Sequence, residues 1–497
     1  MLATDAIDNV SVTIAVPLDA ARHGLRRLGD VLWEIPVETR PGMLVPARVF
    51  ADEELLAGIL GDRSLEQLEN VAMLPGIVDA ACAMPDIHQG YGFPVGGIAA
   101  TAVPDGAVSP GGVGYDINCG VRLLALPLSW EDLGDRREAF VHEISRAIPA
   151  GAGRRGELHF EGARLDRLLV EGPGFLVSEL GIGTEDDLEH TESSGCIPGA
   201  DPGAVSERAR LRGSGQVGTI GSGNHFIEVQ RVERIFDPET AVVFGLREGQ
   251  VTVLIHSGSR GLGHQVCTDH VRAMDAAITR YGISLPDRQL ACAPQSSPEG
   301  RAYLGAMAAA ANYAFANRQA MAHEVREAAR RILGSSVADA TLQLYDVAHN
   351  IAKVERHRGR DVCVHRKGAT RAFPAGSLEI PACYRGVGQP VFIPGSMGTS
   401  SYVLAGEPGA MGLSFGTTCH GAGRRLSRTG ARRLVGGSQV RRELEADGIV
   451  VRSPSNKGLA EEAPLAYKDV DRVVDVVARG GLARRVARLR PLGVVKG

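Results

Sequence analysis

The chain has 497 residues, 44% hydrophobic and 23% charged, with a formal net charge of −4. This is the balance of a globular protein long enough for one large or two to three ordinary domains. No apolar run approaches the roughly 18–20 residues of a membrane span, and the acidic start MLATDAIDNVSV lacks the basic and apolar regions of a signal peptide, so a cytoplasmic protein with no membrane partner is expected. Eight cysteines without a C-x-x-C pair indicate neither a zinc ribbon nor a disulfide framework.

Residues 1–20 read as a short extension and 21–497 as one domain. LWEIPV (32–37) is strand-like, and an acidic amphipathic stretch runs from Asp52 to about Asn70. From Met84 to Leu128 the pattern is short strands and glycine turns, with VRLLALPL (121–128) a buried strand. Residues 131–148 and 160–180 read as helices, and GTEDDLEHTESSGCIPGADPG (183–203) as an acidic surface loop. AVVFGL (241–246) and VTVLIHSG (251–258) read as buried strands, the second ending at His256. Ser297 (N-cap), Pro298 and Glu299 open the clearest helix, reaching Leu333, with Tyr303, Met307, Tyr313, Ala314 and Met321 on one packing stripe. Asn312, Asn317 and Arg318 of that helix are assigned to core packing rather than function. Residues 361–402 return to strands and turns, and helices are expected over 438–446 and 469–490.

Glycine is the compositional outlier: 63 of 497 residues, close to double the average usage of about 7%. It is concentrated in segments that carry His, Cys or Asp: GGVGYDINCG (111–120), GTIGSGNHFIEV (218–229), LIHSGSRGLGH (254–264) and TTCHGAGR (417–424), joined by VAHN (347–350). A D-x-x-C pair is a weak signal alone, and a lone cysteine is more often a buried structural thiol. Three imidazoles in similar settings shift the reading. Asp116, Cys119, His225, His256 and His349 can fill two open coordination shells, a thiolate bridging two cations. Thiolate and imidazole ligands by themselves favour zinc. His420 is then a spare imidazole in a glycine-lined turn. PGSMGTSSYVL (394–404) is a small-residue turn whose amides and hydroxyls suit a nucleotide.

Among the other histidines, His23, His142, His159, His190, His323 and His357 read as surface groups. His88 divides between supporting the site and a local turn, and His365 between facing a phosphate and a strand-end surface position. Gly421–Gly497 holds 17 Lys/Arg against 8 Asp/Glu. Its leading cluster, Arg424, Arg425, Arg428, Arg432 and Arg433, follows His420 directly and suits a polyanionic substrate.

Several motifs are absent. There is no P-loop, no H-E-x-x-H and no K-x-D-G lysine. GTIGSG leads into a strand-like segment, where a dinucleotide fold needs a helix. Ligand candidates spread from 116 to 420 argue for one large mixed α/β (α+β) domain with central β-sheets flanked by helices.

MPDIHQGYGFPVGG (84–97), GGVGYDINCGVR, GSGNHFIEV, HSGSRGLGH, AHN, HRKGATRAFP (365–374), PGSMGTSSYVL, CHGAGR and PLGVVKG (491–497), in that order, resemble the RtcB family of RNA ligases from about residue 28 to the end. The resemblance implies a GTP- and Mn2+-dependent enzyme of tRNA splicing or RNA repair. Such an enzyme joins RNA with a 3′-phosphate or 2′,3′-cyclic phosphate to RNA with a 5′-hydroxyl, through a guanylylated histidine and an RNA-pp-G intermediate. It implies one manganese on Asp116, Cys119 and His225, a second on Cys119, His256 and His349, and His420 as the residue that carries GMP. The guanylate site it implies comprises Asn224, His225, Phe226, Ile227, Glu228, His349, Asn350, Pro394, Gly395, Ser396, Met397, Ser401, His420, Gly421, Ala422, Gly423 and Lys496. It favours manganese over zinc, and raises an archease-like activator as a partner. Thr418 stands before Cys419 as part of a Thr-Thr pair where the family pattern has Ser-Thr. Two other readings stay open: a dinuclear metallo-phosphodiesterase that needs no nucleotide, and a nucleic-acid-binding relative with a decayed site, against which the complete ligand set argues.

Overall fold

The computed structural model describes residues 23–497; the expected extension over 1–20 lies outside the described residues. Two large sheets carry the architecture. The first has seven strands, in the order Arg26–Arg27, Leu32–Ile35, Ala47–Phe50, Ala81–His88, Val95–Ala102, Arg360–Lys367 and Asn350–His357. The second runs Leu342–Ala348, Gly120–Ser129, Gln250–Ser257, Phe226–Ile235, Ala483–Lys496, Ser401–Gly406 and Pro390–Ile393, with Val450–Arg452 parallel to Ala483–Lys496. Helices pack on both, so the architecture is the expected α+β arrangement. Leu342–Ala348 in one sheet and Asn350–His357 in the other are joined at His349, so the sheets meet where a candidate ligand sits. The short pair Ala369–Arg371 and Thr417–Cys419 closes the junction and delivers His420.

VRLLALPL lies within the buried strand Gly120–Ser129, and all of VTVLIHSG but its final Gly258 within Gln250–Ser257. The helix Pro298–Ile332 begins as its cap predicts, the Ser297 side chain accepting from Gly300 N. It is not one-sided, however: residues 305–322 are buried all round. Its alanines let it thread between layers, since a methyl group allows close approach on every face. The amphipathic stretch and the two helices expected after it each divide at or near a glycine. Asp52–Asn70 becomes Glu53–Ile59 and Ser64–Val71, parted near Gly61. Gly134 separates Trp130–Leu133 from Arg136–Ala147, and Gly172 separates Gly162–Glu171 from Pro173–Leu180.

Four readings are corrected. AVVFGL is not a strand: Pro238–Val243 is a helix capped by Asp237, and Val242 is 77% exposed. The helix expected over 469–490 ends at Arg479, before Gly480 and Gly481, and a 14-residue strand follows. The acidic segment 183–203 is not all surface, because Asp187 and Glu192 are buried counter-charges for Arg326 and Lys353. His365 and His357 are also buried. His365 accepts from Ser109 N on one side and meets the Ala99 carbonyl on the other, while His357 pairs with Glu355 at 3.0 Å.

Candidate active site and metal centre

The loop between Pro110 and the strand Gly120–Ser129 turns at Asn118, whose φ is +50°, and so presents Asp116 and Cys119 together. Arg318 of the long helix holds this turn: it gives Nη1–H to the Asn118 carbonyl at 2.8 Å and to the Ser257 carbonyl at 2.9 Å, and its Nε reaches Asp346. Asn317 accepts from Gly218 N at 2.8 Å and donates to the Gly258 carbonyl at 3.0 Å. Both residues, read from sequence as packing groups, tie the loops bearing Cys119, His225 and His256 to one rigid element. The glycines beside the ligands have a steric reason: a Cβ at Gly258 would stand 2.5 Å from the Asp116 carboxylate, and one at Gly221 would overlap the His225 ring.

The five candidate ligands converge as two triads that share Cys119. The donor atoms of Asp116, Cys119 and His225 lie within 4.8 Å of one another, as do those of Cys119, His256 and His349. Cys119 Sγ is 3.3 Å from both His225 Nε2 and His256 Nε2. His256 Nε2 and His349 Nε2 face each other at 3.4 Å. Asp116 Oδ2 is 2.6 Å from His225 Nε2 and yet has no aligned hydrogen bond. Lone pairs pointed at one another in a buried site are what shared cations satisfy, so the residues fit two divalent ions bridged by the thiol. Burial holds the His256 and His349 imidazoles well below their ordinary pKa, in the neutral form that ligates. Burial likewise pushes the Cys119 thiol well up, and a dication is what would draw off its proton.

His420 stands beside this centre, its ring 4.9 Å from that of His349. A single oxygen, Asp86 Oδ2, meets His420 Nδ1 at 2.6 Å and accepts from the His420 and Gly421 backbone N–H groups at 3.0 and 3.3 Å. Asp86 is fully buried on the strand Ala81–His88. The arrangement places the imidazole proton on Nδ1 and leaves the lone pair on Nε2, which has no partner among the described residues. Asp86 belongs to this candidate site, and sequence reasoning did not single it out.

A cavity of about 250 Å³ opens over His420. Of the expected nucleotide residues, Asn224, Phe226, His349, Asn350, the run Pro394 to Met397, the run His420 to Gly423, and Lys496 line it; His88 does too. Burial lowers His88 to a pKa of about 4, and its Nδ1 meets the Asp86 carbonyl. Ile227 does not line the cavity: its side chain points to the opposite strand face and packs with Val253 and Ile255. Glu228 and Ser401 are buried outside the lining. Tyr467 and Lys367 are lining residues that the sequence reading did not single out. Burial lowers Lys367 to a pKa of about 7, and its ammonium reaches the Tyr91 and Phe93 carbonyls.

A second cavity of about 740 Å³ adjoins the first, sharing Tyr115, Asp116, Asn224 and Arg428 and adding His225. Arg155, Arg212 and Arg260 line it. None of these three has a carboxylate within salt-bridge distance among the described residues. In the basic run after His420, by contrast, Arg424 and Arg428 share Glu462, and Arg432 faces Glu461. The second cavity therefore presents three arginines without a carboxylate partner among the described residues beside the ligand triads.

The family described as tRNA-splicing ligase RtcB matches residues 67–497 of this chain. The tRNA-splicing ligase RtcB of Archaeoglobus fulgidus is 54% identical over 478 residues, covering 95% of this chain and 99% of that protein. The corresponding protein of Thermococcus kodakarensis is 51% identical over the same length. The RNA-splicing ligase RtcB of Mycobacterium bovis is 55% identical over 438 residues, covering 87% of this chain and all of that protein. With a family match across most of the chain and full-length relatives at this identity, the protein belongs to the RtcB family and is an enzyme of the RNA-ligase class.

Proposed function

We propose that the protein is a GTP- and Mn2+-dependent ligase that seals RNA 3′-phosphate or 2′,3′-cyclic-phosphate ends to 5′-hydroxyl ends, in tRNA splicing or RNA repair, from a cytoplasmic location and as one catalytic domain over 21–497. The observation that carries the reading is an imidazole, His420, fixed by a buried carboxylate at the wall of a cavity beside two ligand triads.

His420 Nε2 attacks the α-phosphorus of GTP; an N–P bond forms, the bond to the bridging oxygen breaks, and pyrophosphate leaves. A neutral imidazole is a competent nucleophile near pH 7, whereas a lysine needs a depressed pKa. Asp86 holds the Nδ1 proton throughout and stabilises the cationic ring as the N–P bond forms. The RNA 3′-phosphate then takes the guanylyl group, freeing Nε2, and the 5′-hydroxyl oxygen attacks the activated phosphorus, its proton passing to solvent and GMP departing. Two manganese ions, when bound by Asp116, Cys119 and His225 and by Cys119, His256 and His349, neutralise phosphate charge and align the reacting oxygens. Phe226 offers a face for the base, the Pro394–Met397 turn lies along the cavity wall, and Asn224, Asn350 and Lys496 supply donors. Arg155, Arg212 and Arg260 hold the RNA backbone in the second cavity. An archease-like protein is the partner proposed to assist turnover.

The test is covalent labelling. Incubation with GTP labelled at the α-phosphate and Mn2+ gives an acid-labile labelled band on a denaturing gel, and His420→Ala loses it. A band that persists in His420→Ala would remove the nucleophile assignment. Phosphodiester cleavage without GTP, and without any adduct, would instead establish the metallo-phosphodiesterase.

A further inference from the structure

Phe226, Glu228 and Gln230 alternate along the strand Phe226–Ile235 and so share one face. Phe226 and its cross-strand partner Lys496 line the cavity over His420. Glu228 and Gln230 follow behind them, both fully buried. Gln230 Nε2 donates to Glu228 Oε2 at 2.5 Å and to Ser401 Oγ at 3.0 Å. Ser401 Oγ also accepts from Gly395 N at 3.2 Å, and Gly395 lines the cavity. A continuous chain thus runs from the cavity wall through Ser401 and Gln230 to Glu228. It ends on Glu228 Oε1, which, like Gln230 Oε1, is a buried oxygen with no partner among the described residues.

A buried acceptor left open at the end of such a chain is a group waiting for a donor. We infer that Gln230 is the positioning residue for purine selection, its amide fixing Glu228 so that Oε1 is offered to the N–H donors on the Watson–Crick edge of guanine. Guanine presents N1–H and a 2-amino group on that edge; adenine presents an acceptor at N1 and no 2-amino group. An acceptor held in place therefore favours guanine and leaves adenine's N1 lone pair facing another. Burial raises the Glu228 carboxyl to a pKa of about 8, while the hydrogen bond from Gln230 acts in the opposite sense, toward the acceptor form. Gln230 touches neither the phosphates nor His420 in this scheme, so its removal acts on base selection rather than on the transfer step.

The inference rests on the nucleotide reading above, and its test separates the two. Full-length wild type, Gln230→Met and the near-isosteric Gln230→Glu are compared for initial rates of covalent labelling by α-labelled GTP and ATP with Mn2+, each protein first checked for a cooperative thermal melt. Met keeps the volume without the donor; Glu replaces the donor with a second acceptor and serves as the independent variant if Met perturbs folding. Loss of one fixed hydrogen bond predicts a KM for GTP raised about tenfold with kcat nearly unchanged, and GTP-over-ATP preference reduced about tenfold. A folded variant of either kind with wild-type KM and undiminished preference overturns the role of Gln230 and leaves the nucleotide reading standing. A wild type that takes no label from GTP, or takes it equally from ATP, overturns both.

Discussion

Asp86 brings three hydrogen-bond contacts to one oxygen, two from backbone N–H groups and one at the His420 ring. Asparagine at this position keeps the shape but can present an amide to Nδ1, which favours the opposite tautomer and places the proton on the attacking nitrogen. Asp86→Asn is therefore expected to slow single-turnover labelling by about 10²- to 10⁴-fold, while the melting temperature and metal content stay near those of the wild type. A variant that instead melts early with normal labelling would make Asp86 a folding residue. Asp86 and His420 are 334 residues apart, and nothing within MPDIHQGYG distinguishes this aspartate from a turn residue. His88, two positions on, attracts attention as a histidine but serves the local turn and the cavity wall. The ligands were more legible than their supports. A His, Cys or Asp in a glycine-rich turn stands out locally, whereas a supporting residue is defined only by what the fold brings against it.

At the scale of elements, the helix Pro298–Ile332 was readable from its Ser-Pro-Glu opening, but its task was not. Asn317 and Arg318 look like polar residues on an alanine-rich helix until the strands are folded round them. Both are then buried and hold the Asn118, Ser257, Gly218 and Gly258 backbone. Arg318 also shares Asp346 with Arg122. Removing one member of a buried charge network leaves the remaining charge poorly compensated, a cost of about 3–5 kcal/mol. Arg318→Met is expected to lower the thermal midpoint by several degrees and to weaken metal binding, read by calorimetry and metal titration on the same preparation; an unchanged midpoint would show that Arg122 alone satisfies Asp346. The misread elements have equally local causes. Asp237, Pro238 and Thr240 are helix-start signals that outweigh the valines of AVVFGL. Gly480–Gly481 is a stop, and beyond it Ala487, Arg488, Leu489 and Arg490 alternate with the period of a strand. The acidic segment 183–203 misleads because Arg326, Lys353 and Arg371, which its carboxylates neutralise, lie more than a hundred residues away.

Over the whole molecule, the candidate ligands come from four separate stretches between residues 116 and 349 and meet at the junction of the two sheets. Their spread argued from sequence for one domain, and the packing gives that argument a physical consequence. An ion bound to such a set fastens loops that belong to different strands of the second sheet and to the crossing between sheets, so its binding energy adds to the stability of the entire fold rather than to one hairpin. At a free-ion concentration of about 100 times Kd the gain is about 2.7 kcal/mol per site, which raises the midpoint by a few degrees in a chain of this size. Mn2+ added to chelator-treated protein is therefore expected to raise the melting temperature, and Cys119→Ser to remove most of that rise, because the bridging thiol serves both triads. His349→Ala, which touches only one triad, should retain part of it and bind one ion instead of two by metal analysis. A full rise in Cys119→Ser with two ions still bound would show that the triads hold their ions independently and that the thiol is not the bridge.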